Sequence, residues 1–106
     1  MRYIIRNIAL FDGTGAAPSP ATVIVEGDRI RELRGATADT PPLAGDVVID
    51  GQGGTLMPGM VEAHAHLSWP SSIEKIYHQF VLPPDEMKVA TWRNARVLLE
   101  SGFTSA

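Results

Sequence analysis

A chain of 106 residues, with 44% hydrophobic and 20% charged side chains, has the composition of a small soluble globular domain. Its net charge of −3 gives no electrostatic reason to expect a nucleic acid or an anionic membrane as a partner. The sequence contains no cysteine, so disulfides and thiolate ligands are excluded and a metal site would need nitrogen and oxygen donors. Arg6 and Asn7 interrupt the apolar amino terminus, which therefore lacks the core of a secretory signal, and we expect a cytoplasmic protein.

The first half of the chain predicts short β-strands and no helix. Runs rich in β-branched and alternating residues predict four strands, at 3–11, 22–26, 29–33 and 46–50. Four short strands are too few to close a core, so residues 1–55 are interpreted as a portion of a β-sandwich that other segments of the chain complete.

Turn residues separate these strands. Gly27-Asp28 is typical of a two-residue hairpin between the second and third strands. Ile30 and Leu33 do not follow a strict alternation, which predicts a bulge or an early end in the third strand. The prolines in residues 16–21 predict a loop, because proline cannot donate a backbone hydrogen bond to a ladder.

Residues 56–67 form the most informative stretch. Pro58-Gly59 predicts a turn, and the apolar residues of 60–67 favour a strand buried on both sides. In such a strand Glu62, His64 and His66 would share one face, since side chains alternate. Two imidazoles two residues apart can converge on one metal ion, whereas the alternative is a pair of ordinary polar residues in a sheet.

The second half predicts a change from antiparallel strands to a βαβ unit. Residues 68–72 predict a loop, and Pro83-Pro84-Asp85-Glu86 is typical of a helix start. Gly102 lies where a helix ends in a left-handed residue, and residues 103–106 begin another strand. Met87, Trp92 and the leucines of this helix are predicted to be core residues.

The motif Leu56-Met57-Pro58-Gly59-Met60-Val61-Glu62-Ala63-His64-Ala65-His66-Leu67 resembles the signature that opens the catalytic barrel of the metal-dependent amidohydrolase superfamily, and in particular its imidazolonepropionase-like and dipeptidase-like branch. Gly102-Phe103-Thr104-Ser105 is similar to the start of the second barrel strand. The resemblance implies an α/β fold, namely the start of a (β/α)8 TIM barrel, in residues 56–106, preceded by the β-sandwich portion. A complete barrel needs about 250 residues, so the chain is interpreted as an amino-terminal fragment.

The same resemblance implies a hydrolase that cleaves C–N bonds through a metal-activated water. His64 and His66 would be the first two ligands of one or two divalent ions, with Zn2+ as the expected metal. The remaining ligands in the family are a carboxylated lysine or a glutamate, two further histidines, and an aspartate that is also the general base. They are expected beyond residue 106, so we expect no catalytic residue in this chain and no activity from it alone.

Three other side chains carry open alternatives. Glu62 is interpreted as a structural carboxylate, or as a group that orients a ligand histidine. His78 is predicted to be a surface or core-edge histidine, and Trp69 either lines a substrate pocket or packs its own loop.

Two alternatives to an amide hydrolase remain open. One is a non-catalytic scaffold or binding protein that has kept the fold and lost later ligands, and the other is a deaminase. The expected partners are a small-molecule substrate and, in a homo-oligomer, a second copy of the protein.

Overall fold

The computed structural model describes residues 1–68, 77–78 and 82–106, and these divide into two compact units, Met1–Pro58 and Gly59–Ala106. The strands of the first unit are β1 (Arg2–Leu10), β2 (Ser19–Glu26), β3 (Arg29–Gly35), β4 (Val47–Asp50) and β5 (Thr55–Leu56). The second unit contains β6 (Met60–Val61), α1 (Pro84–Glu100) and β7 (Phe103–Ser105). The assignment of these units to a β-sandwich and to a barrel stays a prediction.

β1 is the centre of the first unit's sheet. It pairs antiparallel with β2 on one side and parallel with β4 and then β5 on the other, giving the order β3-β2-β1-β4, with β5 also beside β1. The buried apolar side chains come from β1 and β2, the two strands in the middle: Ile4, Ile8, Ala21, Val23 and Ile24. β-branched residues dominate this core because they pack well on a pleated surface.

The β2–β3 hairpin has the predicted turn at Gly27-Asp28. Gly27 has φ +62°, the conformation that glycine adopts without a steric penalty. The register shifts between Ile24 and Val25, so that β3 carries one extra residue, and the predicted bulge is confirmed. β2 begins at Ser19, earlier than predicted, because Pro20 lies near the start of the strand, where a missing N–H is tolerated.

A second irregularity lies in the middle of β1. Its register with β2 shifts between Ile5 and Ile8, and Asn7 has φ 56°, a left-handed conformation that asparagine tolerates better than most residues. On the other side of β1, β4 ends at Asp50. The chain then turns and rejoins β1 as β5, and the backbone N–H groups of Gly51 and Gly53 donate to the carbonyls of Arg6 and Asn7, both at 2.8 Å.

The second unit is a parallel βαβ unit, as predicted. α1 begins with Pro84 in its first turn, followed by Asp85 and Glu86, and ends at Glu100, before Gly102 with φ +91°. Its half-buried residues repeat every three or four positions along one face: Met87, Ala90, Thr91, Asn94, Ala95 and Leu98.

The opposite face of α1 is exposed. Trp92 is 77% exposed and Leu99 62%, so their prediction as core residues is wrong for the described chain. They lie on the side of the helix away from the half-buried face, and among the described elements α1 packs mainly against β7. Within residues 1–68, 77–78 and 82–106, no helix is both long and apolar enough to cross a membrane.

The close approach at Gly51 generates a first prediction. A β-carbon on Gly51 would overlap the Ile8 side chain and lie 3.1 Å from the carbonyl oxygen of Asn7. Gly51→Ala should therefore lower the free energy of unfolding by about 1–3 kcal/mol, measured by urea denaturation. The control is Gly35→Ala, whose methyl group would meet nothing within 4 Å and whose φ is not in the left-handed region. Equal stability of the two variants would contradict the prediction.

A second prediction concerns Asp50 beside the β1 bulge. Its pKa lies below the ordinary value because the Gln52 backbone N–H and, second, the Asn7 side-chain amide donate to the charged carboxylate. A lowered folded-state pKa means that Asp50 stabilises the fold above its unfolded-state pKa, and that this contribution is lost as the pH falls through the folded-state pKa.

Asn7→Gly keeps the left-handed backbone and removes the amide donor, so it should raise the pKa of Asp50 towards its ordinary value. Carboxyl-carbon NMR titration measures this change. Asp12 serves as the internal control, since its pKa is lowered by hydrogen bonds from Thr14. An Asp50 titration that is the same in both proteins would show that Asn7 has no influence on it.

Candidate metal centre

The strand that leads to the two histidines is short. β6 contains only Met60 and Val61, which are 37% and 68% exposed. The predicted strand buried on both sides over residues 60–67 is therefore wrong for the described chain. The reason is that β6 has one partner among the described residues, β7, which ends at Ser105, and the last bond of this ladder joins the Glu62 N–H to the Ser105 carbonyl at 3.0 Å.

Glu62 continues the chain into a bend at residues 63 and 64. Its Oε1 accepts a hydrogen bond from the backbone N–H of His64 at 3.1 Å, and Glu62 itself is half-buried. The carboxylate thus bonds to the backbone, one of the two alternatives considered for it. This contact also determines the position of the main chain that carries His64.

The two imidazoles meet at their Nε2 atoms. The Nε2 of His64 lies 2.8 Å from the Nε2 of His66, the ring centroids are 4.8 Å apart, and the ring planes are inclined by 53°. The two Nε2 atoms are therefore within hydrogen-bond distance, and the tautomers of the two rings decide which atom donates. Both histidines are exposed in the described chain. Their convergence therefore does not depend on regular alternation along a strand.

This donor pair fits two positions of a metal site. Two nitrogens that bind a tetrahedral ion at about 2.0–2.1 Å lie roughly 3.3 Å apart, so the pair in this structure would have to open by ~0.5 Å. Within the described residues, no group of three or more histidine, cysteine, aspartate or glutamate side chains is arranged to hold a metal. A catalytic zinc ion usually has three protein ligands, so two histidines alone would not complete such a site.

A contact that sequence reasoning missed lies on the other side of the histidines. The side-chain amide of Asn94, on the half-buried face of α1, donates from Nδ2 to the carbonyl oxygen of Leu67 at 2.7 Å. A polar residue among the apolar positions of that face was the available signal. It could not reveal its partner, because 27 residues separate Asn94 from Leu67.

His78 and Trp69 are the remaining candidate residues. His78 is exposed, in agreement with the prediction of a surface histidine. Trp69 lies outside the described residues, and its proposed contact with a substrate stays a prediction.

Curated proteins resemble part of the chain in sequence. Imidazolonepropionase from Idiomarina loihiensis is 46% identical over 52 residues, which are 49% of this chain and 12% of that protein. Adenine deaminase from Shigella flexneri is 34% identical over 65 residues, which are 61% of this chain and 10% of that protein. The chain thus spans about a tenth of the length of these curated relatives. No protein-family model matches the sequence.

Solved structures resemble nearly the whole chain. An amidohydrolase crystal structure superposes with a TM-score of 0.77 and 25% identity over 98% of this chain and 24% of that one. Phenylurea hydrolase B superposes with a TM-score of 0.73 and 30% identity, over 99% of this chain and 24% of that one.

The fold and the relatives together define the class of protein. Relatives named imidazolonepropionase and adenine deaminase, with the amidohydrolase structures, support the assignment of this chain to the amidohydrolase superfamily, as part of a larger protein. The resemblance predicted from residues 56–67 is thereby confirmed. The structural neighbours are TIM-barrel proteins, whereas the position of β6, α1 and β7 at the start of a barrel stays a prediction.

Gly59, just before β6, generates the third prediction. A β-carbon at this position would overlap the Thr104 side chain in β7, so Gly59→Ala should lower the free energy of unfolding by about 1–3 kcal/mol. Thr104→Gly removes the overlapping atoms and should restore part of that loss in the double variant. Urea denaturation of the four proteins of this cycle measures the coupling. Simple additivity of the two changes would show that the overlap is not the cause.

Proposed function

We propose that the full-length protein is a metal-dependent hydrolase of C–N bonds, in which His64 and His66 provide two nitrogen ligands to one divalent ion. The observation that carries the proposal is the approach of the two Nε2 atoms to 2.8 Å in a segment outside any strand. Zn2+ is the proposed metal because imidazole nitrogen is among its preferred ligands and the chain offers no thiolate.

The names of the similar proteins support the type of reaction. Phenylurea hydrolase B and adenine deaminase are each named for a substrate that loses a C–N bond. The chemistry that a divalent ion supplies when bound is acidification of water and polarisation of a carbonyl or related group. Deamination is the second candidate, favoured by the similarity to adenine deaminase, and it would use the same two histidines.

Each histidine can bind a metal through Nε2 in only one of its two neutral tautomers. A ring offers Nε2 to a metal when its proton lies on Nδ1. The metal-binding state of His64 and His66 is thus the one with protons on both Nδ1 atoms.

The proposal extends to architecture. Residues 56–106 would provide the first βα unit and the start of the second strand of a (β/α)8 barrel, and residues 1–55 part of a β-sandwich. The other ligands and the general base would come from later barrel strands, whose carboxyl ends meet at one face. Two imidazoles leave the coordination shell incomplete, so we expect no turnover by residues 1–106 alone. A small-molecule substrate and a cytoplasmic location belong to the same proposal.

Metal content tests the ligand assignment. In the full-length protein, His64→Ala and His66→Ala should each reduce the bound metal to well below one equivalent and lower kcat/KM by at least about 100-fold, as expected for loss of groups that act at the reacting centre. Elemental analysis after removal of free metal provides the measurement. His78→Ala is the matched control, because it removes an exposed histidine of the same chain.

Unchanged metal stoichiometry and activity in either His64→Ala or His66→Ala would overturn the assignment. If the wild-type full-length protein binds its full complement of metal but neither hydrolyses nor deaminates any C–N substrate, a scaffold or binding protein would be favoured instead.

A further inference from the structure

The segment that carries the two histidines receives little support from the sheet. β6 ends at Val61, and the ladder with β7 ends at the bond between the Glu62 N–H and the Ser105 carbonyl. The histidines follow this point in an irregular stretch, yet their Nε2 atoms lie 2.8 Å apart. Some other interaction must therefore restrict the backbone on which they stand.

Two side-chain hydrogen bonds to the backbone enclose this segment. Before it, the Glu62 carboxylate accepts from the His64 N–H at 3.1 Å. After it, the Asn94 amide donates to the Leu67 carbonyl at 2.7 Å. The chain is thus attached at the amide of the first histidine and at the carbonyl that follows the second.

We propose that Glu62 and Asn94 are positioning residues that hold His64 and His66 in the geometry needed to share one metal ion. The inference rests on the proposed function, because the two hydrogen bonds can affect metal binding only if His64 and His66 are metal ligands. Glu62 holds the near end of the segment, and Asn94 attaches the far end to a 17-residue helix.

The surroundings of Asn94 favour this assignment. Asn94 lies in the middle of α1, on its half-buried face between Thr91 and Ala95, where the helix backbone is fixed by its own hydrogen bonds. A bond from this position to a residue 27 places away restricts the loop more than a local turn would. Arg96, on the exposed face, bonds instead to Glu100 on the same helix.

Variants of the full-length protein test the Asn94 donor and the Glu62 acceptor separately. Asn94→Leu removes the donor without adding charge, Asn94→Asp removes it with nearly unchanged shape, and Asn94→Gln keeps an amide donor. Glu62→Leu removes the acceptor, whereas Glu62→Gln keeps a carbonyl oxygen that can accept the His64 N–H. Arg96→Gln is the control on the exposed face of the same helix.

The first measurement is the Zn2+ dissociation constant, obtained by competition with a chromophoric chelator. Loss of groups that orient metal ligands typically weakens binding by about 10–100-fold. We expect that range for Asn94→Leu and Glu62→Leu, partial recovery in Asn94→Gln and Glu62→Gln, and no change in Arg96→Gln. A loss in Asn94→Asp but not in Asn94→Leu would assign the effect to charge and overturn the proposal.

The second measurement needs no metal. Hydrogen–deuterium exchange of the peptide that covers residues 62–67 in the metal-free protein should be faster in Asn94→Leu and Glu62→Leu than in the wild type and Arg96→Gln. Equal exchange in all variants, with equal Zn2+ affinity, would overturn the positioning assignment.

Together with the metal content of the histidine variants, these two measurements distinguish the inference from the proposed function. If His64→Ala and His66→Ala retain wild-type metal content, the metal site itself is wrong, whatever the exchange data show. If those variants lose metal while the Asn94 and Glu62 variants bind it normally, only the positioning assignment fails.

Discussion

The candidate site depends first on the parallel pairing of β6 with β7. This pairing is possible because Gly59 has no side chain where the Thr104 side chain passes. It brings the Glu62 N–H to the Ser105 carbonyl and thereby determines where the chain leaves the sheet. Everything that follows, from the bend after Glu62 to the two histidines, begins at this last ladder bond. Glycine before β6 is thus a condition for the site, although it contributes no functional group.

The histidine pair illustrates how irregular backbone can hold a precise arrangement. A regular strand would place two same-face side chains roughly 6.6 Å apart at their Cα atoms and leave the approach of the rings to rotamer choice. Here the backbone bends after Glu62, and the two Nε2 atoms come within 2.8 Å. Metal binding would require only a small opening of this pair, so little reorganisation separates the described geometry from a ligand geometry.

The first unit also contains an irregular backbone segment, away from the candidate site. Asn7 in a left-handed conformation interrupts β1, and Gly51 lies close against it. There the chain turns away from β1 after β4 and rejoins it as β5. On the side of β4 and β5, backbone N–H groups from the connecting turn bond to β1 carbonyls and bridge this interruption. The bulge therefore preserves the sheet while it redirects the chain.

The sequence by itself determined the elements that have strong local signals. The hairpin at Gly27-Asp28, the helix that begins at Pro84 and the parallel βαβ unit could all be predicted, because turn glycines, proline at the first helical turn and apolar periodicity act within a few residues. Residues 56–67 also identified the superfamily and the two candidate ligands.

Only the tertiary structure decided how these ligands are held. The length of β6, the exposure of Trp92 and the bond from Asn94 to Leu67 depend on partners that are distant in sequence. Alternation predicted that His64 and His66 share a face, but it could not show that the strand ends before them. The length of β6 is limited by its pairing with the short strand β7, and the sequence near β6 does not show how long β7 is.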